Sequence, residues 1–366
     1  MNSENHSSSL DILALQDQEV VKNTFYRYPK VSPHITKFED HVEVKTIDDS
    51  VSLYKLDEVV LHILATFKWV PLWLIQQWFD DYKKDGYLYA SKWIKVGLVW
   101  AETTALGVFI RPTRFLLDFI INETDPKEAE EKKQWVDINF NLLNHTCAEE
   151  QIMFDILMGN PKSELWLAMQ MSKVPLLPCY HPLDIKAPGE SGTLIIPEKD
   201  FKLSRFNKEE LENKQDILKK SIATNSPFTA EFSDFSLFPI VNYSVDNILV
   251  TQKPDLAIPI PRANKLPQSC AIELELTAKT KDKYEAIMYN YRNNLVYGKL
   301  FYLCATNGIA NLVTNAYKQI GGLGTCRLFI VPYVAPAQKL YDVRQDDTAI
   351  KNIVTLSVNN TKKEGN

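Results

Sequence analysis

The sequence predicts a multidomain α+β protein, and three observations carry that prediction. Apolar residues recur at helical spacing from Leu56 and give way to two short β-prone pieces around residue 100. A strictly alternating segment occupies residues 270–277. From there to Val334 the pattern reads strand, helix, strand, helix, strand, the order of a central mixed sheet covered by helices. At 366 residues the chain has room for two or three domains. A hydrophobic fraction of 45 % and a charged fraction of 24 % suit an ordinary globular protein. The formal net charge of -5 excludes a strongly basic nucleic-acid coat, so any DNA contact has to come from a local basic patch.

Residues 1–50 read as a polar N-terminal arm, partly disordered, with aromatics but weak periodicity in its second half. The opening MNSENHSSSL lacks the basic start and apolar run of a secretory signal. The apolar stretch 59–79 is broken by Lys68, Pro71 and two glutamines, which predicts no membrane span and a cytoplasmic location.

Residues 51–115 form the first ordered module. Val59, Val60, Ile63, Leu64 and Phe67 mark one helix face. Pro71 opens a second helix through Phe79, in the first turn where proline is tolerated. The charged run 80–86 ends in glycine and suits a turn. A third helix covers about 88–96, with Gly97 as a left-handed cap. Residues 99–102 and 107–110, around the turn at Thr103, Thr104 and Ala105, predict a hairpin. Three helices and a hairpin in this order make a winged helix–turn–helix, the third helix reading DNA and the hairpin serving as wing. Its candidate DNA-binding residues are Lys83, Lys84, Lys92 and Lys95, partly offset by Asp80, Asp81 and Asp85. The alternative is the same module used for protein contacts or packing.

Residues 116–240 read as a helical connector and an irregular region. One helix ends at 118–122, and 127–133 is a charged exposed run. Another helix opens at His145 and runs through Leu157, stopped by Gly159 and Pro161. A β-prone piece at 193–196 and a charged helix at 208–222 follow. The five cysteines are odd in number, widely spaced and free of any CxxC pair, which predicts buried free thiols instead of zinc or disulfides. The six histidines are scattered and show no metal-ligand spacing.

Residues 241–340 carry the chemistry, and 341–366 form a tail. A Pro254-Asp255 strand is followed by Ala271-Ile272-Glu273-Leu274-Glu275-Leu276-Thr277, with Glu273 18 residues after Asp255. Strand parity puts Ile272, Leu274 and Leu276 on one face, expected under the following helix, and Glu273, Glu275 and Thr277 on the other. The two glutamates then project roughly 6–7 Å apart. With Asp255 beside them, three carboxylates repel one another unless a cation neutralises them. Hard oxygen donors suit Mg2+ or Mn2+, with Asp255 and Glu273 as the metal pair. Such a set performs phosphodiester hydrolysis, and this architecture is that of a PD-(D/E)xK restriction-endonuclease-like α/β domain. Glu275 stands where that class more often has lysine. Lys279 has the right parity but lies about 13 Å further along if the strand stays extended, so it or Lys283 has to fold back. The alternative for Glu273 and Glu275 is a solvent-facing row. Glu149 and Glu164, on preceding helices, are candidate extra ligands, with ordinary exposed residues as the alternative. Tyr284 and Tyr291, seven apart, read as a packing stripe before a base-stacking platform.

Over about residues 56–330 the chain resembles the replication-relaxation family of plasmid and integrative-element proteins. The residues that carry the likeness are Trp93-Ile94-Lys95-Val96-Gly97-Leu98, the His145 helix, Lys253-Pro254-Asp255, Ala271 to Thr277, Lys283-Tyr284, Tyr297 and Leu300-Phe301-Tyr302-Leu303. The resemblance implies a winged-helix DNA binder joined to a PD-(D/E)xK-like domain, acting in plasmid or mobile-element DNA processing. The endonuclease subunit of cut-and-paste transposons is similar in pairing these two domain types, in the reverse order. Three functions are therefore expected: a DNA-binding accessory protein of a mobile element, a metal-dependent endonuclease of a transposon or defence system, or a protein-docking module. DNA is the expected partner, with other proteins of such a complex and no membrane.

Overall fold

The computed structural model describes residues 33–104, 106–121, 129–130, 132–134, 136–176, 195–198, 241–245, 248–252, 254–258, 269–293 and 297–336. The chain divides into two compact units, 1–139 with 337–366, and 140–336. The class is α+β, with eight α-helices and several small sheets among the described residues. No described helix is long and apolar enough to cross a membrane. The expected helix at 208–222, the tail 341–366 and Cys179 lie outside the described residues.

The first unit opens with an antiparallel sheet of β1 (His34–Lys37), β2 (Val42–Lys45) and β3 (Ser50–Leu53). Residues 34–50 are therefore not an arm. Val42, Val44, Val51 and Leu53 bury one face, but two apolar residues per strand are too few to stand out as a period-2 pattern. Helix α1 (Lys55–Phe67) buries Val59, Val60, Ile63, Leu64 and Phe67, the stripe read from the sequence. Pro71 sits one place before α2 (Leu72–Asp81) as its N-cap, and pairs within β4 (Val70–Pro71).

Helix α3 (Gly86–Lys95) starts at the glycine expected to close a turn. Its reason is steric: a Cβ on Gly86 would lie 2.8 Å from the Gln76 Cα of α2, so glycine permits the close crossing. The Gln76 side chain accepts the Tyr87 N–H across that crossing, at 3.1 Å. Asp57, on the first turn of α1, accepts the buried Trp93 indole N–H at 3.0 Å and ties α1 to α3. Gly97 takes φ 74°, as its capping role requires. Strands β5 (Val99–Thr104) and β6 (Gly107–Pro112) form the hairpin, and β4 adds to β6, giving the order β4-β6-β5. Helix α4 (Arg114–Ile120) closes the unit, capped by the Thr113 hydroxyl.

The second unit begins with α5 (Leu143–Met158), ended by Gly159 at φ 69°, and α6 (Glu164–Met171). Strand β7 (Ile196–Pro197) and a separate hairpin, β8 (Val241–Val245) with β9 (Ile248–Gln252), follow. Then come β10 (Leu256–Ile258), β11 (Ser269–Glu275), α7 (Lys281–Asn293), β12 (Tyr297–Cys304), α8 (Asn307–Gln319) and β13 (Arg327–Pro332). The sheet order is β13-β12-β11-β10-β7. The pairs β11–β12 and β12–β13 are parallel, and β10 runs antiparallel to both β11 and β7. Parallel neighbours need crossovers, and α7 and α8 supply them.

Every residue of β11 is buried. Ala271 of β11, with Leu300 and Tyr302 of β12, packs against Tyr284, Ile287, Met288 and Tyr291 of α7. The row under α7 is thus the one carrying Glu273, not the Ile272 and Leu274 row expected there. Tyrosines make this workable, because each offers a ring to the core and a hydroxyl to a carboxylate. Phe301, paired with Ile272, occupies the opposite face and stacks on Phe329.

Candidate active site

Strand pairing assembles the acidic residues. Asp255 immediately precedes β10, and extending the Leu256–Ile272 pair by one step sets it opposite Glu273. The Leu274 N–H donates to Asp255 Oδ2 at 2.5 Å. Glu273 and Glu275 are each only 4 % exposed, so the row does not face solvent. Buried carboxylates require donors. The Tyr291 hydroxyl donates to Glu273 Oε1, and the Tyr302 hydroxyl to Glu275 Oε2 at 3.3 Å. Tyr284 and Tyr291 are fully buried and belong to the packing stripe.

Lys279 joins this group. Strand β11 stops at Glu275, and the chain turns through 276–280 before α7. That turn replaces the extended separation with a contact: Lys279 Nζ lies 2.7 Å from Glu275 Oε2. The Lys279 N–H donates to the Tyr284 hydroxyl at 3.0 Å, which holds the turn against α7. Lys283 points outward and is exposed.

The electrostatics follow from burial among like charges. Burial pushes the Asp255 carboxyl up to about 7; the Leu274 N–H and Lys279 pull it down, while Glu198 and Glu275 push it up. Burial would lower the Lys279 ammonium, but Glu275, Glu273 and Asp255 outweigh it and hold it above its ordinary value. Lys279 therefore stays charged at neutral pH.

Two residues on α5 complete the surroundings. His145 Nε2 is 3.5 Å from Asp255 Oδ1, and His145 Nδ1 is 3.7 Å from Glu149 Oε1. One donor atom from each of His145, Glu149 and Asp255 lies within 4.8 Å of the others. Histidine spacings alone do not bring out this grouping, because His145 and Glu149 are a mixed pair four apart on one helix face. Glu149 is buried, contrary to the exposed alternative, whereas Glu164 is exposed. Burial holds His145 below the ordinary imidazole range, against a hydrogen bond with the Leu274 backbone, so it is neutral at pH 7. Glu198 carries no sequence signal of its own. Its N–H donates to the Asp255 carbonyl at 2.8 Å, just after the β-prone piece at 193–196.

Among candidate metal ligands, the predicted pair Asp255 and Glu273 shares a face, but Glu273 already holds the Tyr291 hydroxyl. Cys147, Cys270, Cys304 and Cys326 are buried free thiols. Burial pushes Cys270, Cys304 and Cys326 up to about 12, which leaves them poor ligands.

The four lysines belong to the other unit. Lys83, Lys92 and Lys95 are exposed and Lys84 is half-buried. Lys84 and Lys92 both sit over the Tyr89 ring, at 5.4 and 4.7 Å from its centroid. Among the described residues no salt bridge engages any of the four. Two of the aspartates expected to offset them are used elsewhere. Asp85 caps α3 through the Tyr87 and Leu88 N–H groups, and Asp80 accepts the Gln76 amide.

Comparison of the chain with protein-family models, with curated proteins and with solved structures finds no match.

Proposed function

We propose that the chain is a DNA-processing protein of the mobile-element type. The first unit is a winged helix–turn–helix that holds DNA, and the second a PD-(D/E)xK-type domain that hydrolyses a phosphodiester bond. One observation carries this reading: the Lys279 ammonium, 2.7 Å from Glu275, joins Asp255 and Glu273 in a single cluster. That supplies the lysine whose usual position is taken by Glu275. For the first unit, the support is the close crossing of α2 and α3 at Gly86, the β4-β6-β5 sheet and the exposed lysines on and before α3.

The donor set suits a divalent cation, Mg2+ or Mn2+. The raised Asp255 carboxyl reports how costly an uncompensated negative charge is at this place. A cation held by Asp255 and its neighbours would acidify a water and offset charge on the phosphate. The protein's own contributions are distinct. Lys279 presents a positive charge where negative charge develops on a phosphate oxygen. Glu275 and Tyr302 fix the lysine's direction, and Tyr291 fixes the Glu273 carboxylate. Lys83, Lys84, Lys92 and Lys95 neutralise backbone phosphates.

The test is nicking of supercoiled plasmid with Mg2+ or Mn2+. Wild type is expected to nick, and Asp255→Asn and Lys279→Ala each to slow nicking about 10²-fold or more while retaining DNA on a gel. Full nicking by both variants, or none by wild type with either cation, sinks the enzyme reading. A second reading, a DNA-binding accessory protein that does not cut, is favoured by the engagement of both glutamates with tyrosines. It predicts salt-sensitive retention of DNA without nicking. Neither nicking nor retention would leave a docking module.

A further inference from the structure

We infer that His145, Glu149 and Asp255 form a manganese site, with Glu273 outside its ligand set. The inference deepens the proposed hydrolytic reading by naming the metal and the residues that hold it. Three features point to it.

First, the donor atoms converge. His145 Nε2 stands 3.5 Å from Asp255 Oδ1 and His145 Nδ1 3.7 Å from Glu149 Oε1, and one donor from each residue lies within 4.8 Å of the other two. A cation held by one imidazole nitrogen and the two carboxylates, about 2.1–2.3 Å from each, fits within that spacing. Second, the site is pre-oriented by a single residue of β11. The Leu274 N–H holds Asp255 Oδ2, leaving Oδ1 toward His145, and the Leu274 backbone also hydrogen-bonds the imidazole. A ring with one nitrogen bonded to backbone and the other left to ligate is the usual setting of a metal-binding histidine. Third, the element geometry makes the donor pair rigid. His145 and Glu149 lie one turn apart on α5, the same helix whose Ala148 carbonyl accepts the Tyr333 hydroxyl at 3.2 Å just beyond β13. Helix and sheet are thereby joined beside the site.

The chemistry narrows the ion. The imidazole nitrogen disfavours magnesium and calcium, and the two carboxylates are the hard oxygen donors that suit manganese. Glu273 is excluded because one oxygen receives the Tyr291 hydroxyl within a closed tyrosine face.

The experiment uses the full chain without DNA. Mn2+ alone is titrated, free ion is read by electron paramagnetic resonance, and melting is recorded with and without Mn2+. Wild type should bind one Mn2+ and melt higher with it, because a ligand of the folded state alone stabilises that state. His145→Ala and Glu149→Gln should each lose roughly tenfold or more in Mn2+ affinity, with little rise in melting temperature. Glu273→Gln should bind within about threefold of wild type, a difference under 1 kcal/mol. The inference is overturned if wild type binds no Mn2+, if both α5 variants bind like wild type, or if Glu273→Gln loses as much as they do. Should His145→Ala fail to fold, Glu149→Gln decides by the same readout. Tight Mn2+ binding without plasmid nicking would sink hydrolysis and leave this site standing.

Discussion

Asp57 shows how much one side chain organises. Its carboxylate accepts the Tyr54 N–H at 3.1 Å and the Trp93 indole at 3.0 Å, so it both caps α1 and anchors α3. Burial pushes it up to about 6, against both hydrogen bonds. The raised value sets the sign of its pH effect. The folded state holds the proton more tightly than the unfolded chain, so the group's favourable contribution is complete below about pH 4. It is lost as pH rises through about 6. A shift of two units is worth about 3 kcal/mol. Asp57→Asn is neutral throughout and removes that slope. Urea unfolding followed by tryptophan fluorescence should show the variant gaining on wild type by up to about that amount between pH 4 and 7. Parallel profiles would show that Asp57 does not titrate in this window. No periodicity argument reaches this residue, because it is a polar group on the buried side of a helix.

At the scale of elements, the crossing of α2 and α3 is set by Gly86. An added methyl meets the Gln76 backbone at 2.8 Å, and backbone cannot rotate away as a side chain can. Overpacking of this kind costs about 1–3 kcal/mol, and the rigid neighbour puts the cost in the upper part of that range. Alanine returns roughly 1 kcal/mol through helix propensity. Gly86→Ala should therefore lower the melting temperature, and an unchanged or higher value would mean that the helices cross less closely. Strand β11 carries the complementary lesson. Its alternation was legible, but the face turned to α7 was not. An Ile and Leu row looks like the core side until Tyr284, Tyr291 and Tyr302 supply hydroxyls that let the glutamate row be buried as well.

For the whole molecule, the net charge of -5 opposes DNA at long range, so the proposed binding has to rest on a local patch. Lys83, Lys84, Lys92 and Lys95 are the proposed patch, with Lys84 and Lys92 gathered over Tyr89. Each lysine withdrawn from a phosphate should reduce the slope of log affinity against log salt by about 0.9. Replacing all four by glutamine should flatten the slope by roughly 3–4 and abolish retention at physiological salt. The measurement is fluorescence anisotropy of a labelled duplex across a salt series. A slope that stays at the wild-type value would move the DNA-binding face away from α3.

By itself the sequence determined the local pieces: the α1 stripe, the hairpin after Gly97, the strand–helix alternation after residue 269, and the carboxylates Asp255, Glu273 and Glu275. These are written in periods of 3.6 and 2 and in short spacings, which neighbouring residues settle among themselves. Tertiary structure alone decided what meets at the site. Lys279 arrives because β11 ends at Glu275 and the chain turns back. His145 and Glu149 arrive on a helix more than a hundred residues before Asp255. Glu198 comes beside Asp255 through the β7–β10 pairing. Such meetings depend on strand register and on where a turn falls, and both are fixed by packing between distant segments, which no local spacing encodes.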